Sequence, residues 1–178
     1  MIRLAAWLAL GFAMMPTGLT AAPRLAVLPF EIIDATQDAN AMALGYGGGL
    51  PKGPNADEAR RLTIISQDLV RRIEADGRYE LVQLAAVLSD IEAKGPIHKC
   101  NGCEDDIAKK VAAQLVMIAT VEKLSDLLFN FNLYLRDVTA QKITAVMSTT
   151  VQGSTDEAWL RGIRYLAERK LLTPGDKK

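Results

Sequence analysis

The chain has 178 residues, with 21 Lys plus Arg against 21 Asp plus Glu, one His and two Cys. This balance offers no basic field to draw nucleic acid or an anionic membrane surface, and two cysteines do not build a disulfide scaffold. The length suits one domain with a real core and is short for two.

The first stretch, "MIRLAAWLALGFAMMPTGLTAAP", has one positive charge at Arg3, an apolar run from Leu4 to Met15, Pro16, and small residues through Ala22. That is the pattern of a cleaved secretory signal peptide over residues 1–21. The run is short of the roughly 20 apolar residues that a spanning helix needs. No cysteine follows it to carry a lipid. Cleavage after Ala21 takes away Arg3 and no acid, leaving a net charge of −1. The expected location is the periplasm, with no transmembrane segment in the mature chain and one domain over residues 22–178.

"RLAVLPFEII", Arg24 to Ile33, is a dense apolar run without helical spacing and predicts a buried strand. A glycine-rich loop follows at 34–54. A phosphate cradle there fails on the motif, because Lys52 is followed by Gly53 and Pro54 instead of Ser or Thr. Asn55 with Glu58 makes a capping box, and Leu62, Ile65, Leu69 and Ile73 recur at helical spacing until Gly77. Tyr79 to Leu84 predicts a short strand, Leu84 to Ile91 a second helix stopping before Gly95 and Pro96, and "IAKKVAAQL", Ile107 to Leu115, a third.

From Leu115 the run "LVMIATVEK" predicts a central strand. "LLFNFNLYLRD" alternates, with Leu127, Phe129, Phe131, Leu133 and Leu135 inward and Leu128, Asn130, Asn132, Tyr134 and Arg136 on a wet face. In "KITAVMSTTVQ" the expected inward set is Ile143, Ala145, Met147 and Val151. Ser154 with Glu157 is read as the cap of a last helix that buries Trp159, Ile163, Leu166 and Ala167. The fold class is α/β: a mixed sheet with parallel strands near Val27, Leu81 and Met117, then a C-terminal antiparallel meander, with helices packed on the sheet.

This order, with the words "LAVLPF", "SQDLVRRIEADGRYELV", "IAKKVAAQLVMIATVEK" and "FNLYLRDVTAQKI", resembles the TolB amino-terminal-domain-like family and the related curli secretion lipoprotein type domains. The resemblance covers nearly the whole mature chain, without a β-propeller after it and without the curli relatives' lipid anchor and pore-forming segment. It implies a small stand-alone secreted proteobacterial member with a TolB N-terminal-like fold. It further implies a non-enzymatic binding or accessory module whose partner is another periplasmic or envelope protein, with no catalytic residues to transfer; the contact is expected through the glycine-rich loop or the exposed face of the meander, and no cofactor or metal is expected.

The chemistry-bearing residues gather in "HKCNGCEDD", His98 to Asp106. Cys100 and Cys103 stand one turn apart before a helix, as in a thioredoxin-type centre, and this keeps a small periplasmic thiol oxidoreductase or redox-responsive protein as the alternative. Against it, Glu104, Asp105 and Asp106 beside the sulfurs raise thiol pKa. Their placement in a first helical turn favours the helix dipole, and acids adjacent in sequence point apart and read as solvated charge. A structural disulfide between Cys100 and Cys103 is the preferred reading in an oxidising compartment. Zinc finds at most three ligands here, in His98, Cys100 and Cys103, and haem attachment fails because Glu104 stands where a histidine is needed. A Ser-His-Asp arrangement would have to use His98, and no G-x-S-x-G elbow accompanies it.

Overall fold

The structure, a computed structural model, describes residues 21–34 and 53–173. The expected leader and the glycine-rich loop at 34–54 lie outside the described residues, apart from Ala21, Asp34, Gly53 and Pro54. The strands are β1 (Arg24–Val27), β2 (Glu31–Asp34), β3 (Glu80–Leu81), β4 (Leu115–Ser125), β5 (Leu128–Asp137) and β6 (Lys142–Gln152). The helices are α1 (Ala56–Asp76), α2 (Leu88–Lys94), α3 (Cys103–Lys110) and α4 (Asp156–Leu166). One six-stranded sheet runs β3-β1-β4-β5-β6, with β2 also on β4. The β1, β2 and β3 pairings are parallel, and β4, β5 and β6 form the antiparallel meander.

The predicted first strand is broken in two. Val27 pairs with Met117 but Glu31 with Thr120, so the chain spends one residue more than β4 over that interval. Pro29 lies in the break, where its missing N–H takes no rung from the ladder. The extra residue changes which parity faces which side: Leu25 and Phe30 join one core, Ala26 and Leu28 the other.

Those two cores lie on opposite faces of the sheet. On the first, α1 and α4 pack side by side. The capping box at Asn55 and Glu58 starts α1, and Gly77, at φ 76°, ends it in the left-handed conformation that glycine adopts freely. Between these signals Leu62, Ile65, Leu69 and Ile73 bury, as their spacing requires. Helix α4 drives Trp159 edge-on against Phe129 and Phe131, at 5.1 and 5.3 Å between ring centroids. Its cap is Thr155, whose hydroxyl accepts from the Ala158 N–H, and not Ser154 as the sequence suggested. Gly162 lets this helix close on β6, since a Cβ there would strike Val151 Cγ2.

On the second face, α2, α3 and the short turns on either side of α2 cover β1 and one end of β4 through Val87, Ile91, Ile97, Cys103, Ile107 and Ala108. Helix α3 starts at Cys103, four residues before the expected Ile107, because Gly102 opens it. The rest of that face, over β4, β5 and β6, carries no helix among the described residues.

Candidate functional site

The bare part of the second face adjoins the cysteine turn, and the two together form a groove of about 470 Å³. Its floor is apolar: Ile33 of β2, Ile118 of β4, Tyr134 of β5 and Ile143 of β6. Thr120 lies buried in that floor, and the polar residues around it are His98, Lys99, Asn101, Glu104 and Arg136. Cross-strand pairing builds the floor in rows, since Ile118 stands opposite Tyr134 and Tyr134 opposite Val146.

Ile143 was expected to point inward. A bulge overturns this: Leu135 pairs with Ala145 while Arg136 pairs with Ile143, so Thr144 is the extra residue and Ile143 changes face. Ile143 is 47% exposed and Val146 61%. Two branched apolar side chains therefore stand in solvent on one face of one strand.

The acids after the cysteines are not solvated as expected. Asp105 is 2% exposed and Glu104 6%, and only Asp106 faces water. The partner lies in β5: Arg136 gives Asp105 two hydrogen bonds, Nε to Oδ1 at 2.8 Å and Nη2 to Oδ2 at 2.7 Å, and its Nε lies 3.4 Å from Glu104 Oε1. The hydrogen bonds to Asp105, with the charges of both acids, hold the Arg136 guanidinium above its ordinary range against the opposing pull of burial. This clamp ties α3 to the floor of the groove.

His98 is anchored in a comparable way. Glu31 accepts from the backbone N–H of Ile97 and of His98, at 2.5 and 2.9 Å, and its Oε2 lies 2.6 Å from His98 Nδ1. A carboxylate only accepts at these distances, so Nδ1 carries the proton. Glu31 thus caps the turn at Ile97–Lys99 and orients the imidazole, with no serine, threonine or cysteine joined to it by a hydrogen bond among the described residues. No nucleophile and base come together here.

Cys100 and Cys103 lie at disulfide distance, with Cα atoms 5.7 Å apart. Cys100 Sγ is 3.7 Å from Glu104 Oε2. In a bonded pair that approach is only a contact, because the sulfur has no proton. In a reduced pair the Cys100 thiol would donate to the carboxylate, which favours the protonated thiol. Among the described residues the ligand atoms that cluster are those of Cys100, Cys103 and Glu104, within 4.8 Å of one another, and His98 is not among them. The sulfurs would ligate only as thiolates, so this set fits a metal only when reduced.

Sequence reasoning found Cys100, Cys103, His98, Tyr134 and Arg136 but not their meeting. It missed Ile33, Ile118 and Val146, for which only the bare face is a signal. Among the described residues no helix is long and apolar enough to cross a membrane.

Fold and site together define a mixed-sheet α/β domain that presents a groove beside a cysteine turn, with no assembled catalytic constellation among the described residues. The chain belongs to the family described as "Protein of unknown function (DUF2380)", whose model matches residues 23–171. No curated protein matches it in sequence. Among solved structures it is similar to the LpoB C-terminal domain from Salmonella enterica, at 19% identity and TM-score 0.49, covering 76% of this chain and 87% of that one. It is also similar to a lipoprotein from Neisseria meningitidis, at 13% identity and TM-score 0.48, over 72% and 79% of the two chains. TolB from Acinetobacter baumannii matches at 18% identity and TM-score 0.42, over 88% of this chain and 30% of that one.

Proposed function

We propose that the protein is a non-enzymatic periplasmic binding or accessory module that contacts another cell-envelope protein through the bare face of its meander. The observation that carries this reading is the pairing of exposed Ile143 and Val146 with a groove whose floor is apolar and whose rim is polar. A soluble domain that keeps large apolar side chains in solvent beside a concave site has the makings of an interface anchor: a side chain enters the pocket while the rim supplies hydrogen bonds. Location rests on the leader expected at 1–21. The cysteine pair serves as a disulfide that stiffens the groove wall, and Glu104 against Cys100 weighs on the side of a staple over an activated thiol.

A photoreactive amino acid placed at Val146 tests the reading in cells, with Glu74 on exposed α1 as the control position. A discrete adduct with an envelope protein is expected from Val146, lost when Ile143→Asp is added. Equal labelling from both positions would refute the assignment of the face.

A further inference from the structure

We propose that β6 pairs with the β6 of a second copy, making a two-fold dimer with one continuous sheet. Among the described residues β6 pairs with β5 alone, and no strand of theirs lies on the other side of this 11-residue strand. The opposite edge strand, β3, has two residues. Natural sheets ordinarily blunt an edge with lysine, proline or a covering element. From Ile143 to Gln152 this strand has no charged residue and no proline.

The register of such a pair follows from the hydrogen bonds already made. The Gly153 N–H donates to the Leu127 carbonyl at 2.8 Å, and Gln152 stands opposite Leu128. Alternation along an antiparallel ladder then turns the backbone groups of Met147, Thr149 and Val151 toward β5 and those of Val146, Ser148 and Thr150 to the other side. A symmetric partner therefore centres on Ser148, which meets its own counterpart, while Val146 meets Thr150 of the second copy. On the inner face Met147 meets Thr149 and Ala145 meets Val151. Every pair is neutral, and the one charge of the strand, Lys142, falls beyond the paired stretch. A cavity of about 540 Å³ beside this edge, above Ala158, Gly162 and Tyr165 of α4, leaves room for the incoming inner side chains. In this register no like charges meet across the two-fold axis, so the edge fits a second copy of itself.

Charge at Ser148 tests both the dimer and its register. Sedimentation of the mature chain is expected to show a dimer. Ser148→Lys and Ser148→Asp, each placing like charges face to face, should raise the dissociation constant about fivefold. An equimolar mixture of the two variants should restore dimer, and native mass spectrometry should find it mixed. A monomeric wild type across the micromolar range, variants that dimerise like the wild type, or a mixture that stays weak would overturn the proposal. Amide exchange gives a reading on the unaltered chain: Val146, Ser148 and Thr150 should gain protection as concentration rises, and fast exchange there at every concentration would contradict the pairing.

Discussion

Arg136 of β5 holds Asp105 of α3 through the Nε and Nη2 N–H groups along one edge of its guanidinium, at 2.8 and 2.7 Å, across 31 residues of sequence. The clamp joins the helix that follows the cysteine turn to the strand that floors the groove. Because Asp105 is nearly inaccessible, Arg136→Met strands a buried carboxylate and should cost about 3 kcal/mol by chemical denaturation. Asp105→Asn leaves Glu104 to pair with Arg136 and should cost less. Equal effects from the two variants would show that the pair is not buried as described.

Gly162 sits in mid-helix, where alanine is ordinarily better by about 1 kcal/mol. Here a methyl would collide with Val151 and press on Phe131 at 3.4 Å. Gly162→Ala should therefore destabilise by about 2 kcal/mol, and Val151→Ala in the same chain should recover part of the loss. A stabilising Gly162→Ala, read from thermal denaturation, would mean that α4 stands further from β6.

How far the sequence reaches is plain from particular residues. Helix α1 was legible in full because Asn55, Glu58 and Gly77 act locally, through bonds within a few residues. The alternation of β5 was legible too, since a two-residue period maps directly onto faces. Ile143 was not: one extra residue at Thr144 inverts parity, and a bulge leaves no mark on a hydrophobic pattern. Nor was the burial of Asp105, because the group that neutralises it comes from another element. Local chemistry was readable, whereas the groove depends on strand register and on a long-range ion pair.

Asp156, the first residue of α4, ties that helix to α1, where Arg60 bonds both its oxygens and Arg61 Nε reaches Oδ1 at 3.2 Å. The hydrogen bonds from Arg60 hold its carboxyl below the ordinary range. A lowered folded pKa gives stability that is present above the unfolded pKa and lost as pH falls through the folded one. The difference in melting temperature between wild type and Asp156→Asn should thus be constant near neutrality and shrink as pH falls below the usual carboxylate range. A difference that grows on acidification would reverse the sign of the linkage.

The cysteine pair, read as a staple, should show no free thiol until reduced. Replacing Cys100 and Cys103 by serine closes no loop and should lower stability by about 2 kcal/mol or less, since the loop spans so few residues. Alkylation kinetics on reduced protein should place the Cys100 thiol at or above the ordinary value of about 8.5, because Glu104 accepts its hydrogen bond and repels the thiolate. A thiol pKa below about 7 would favour the oxidoreductase.

The central claim is that the bare meander face carries recognition and the cysteines do not. Once the envelope protein captured from Val146 is purified, its affinity for three variants decides the matter by titration calorimetry. Val146→Asp is expected to weaken binding at least about tenfold, as burial of a charge in an apolar contact requires. Glu74→Lys on the opposite side and the double cysteine-to-serine variant should bind as the wild type does. Unchanged affinity for Val146→Asp, or loss of binding in the cysteine variant while its fold persists, would contradict the account.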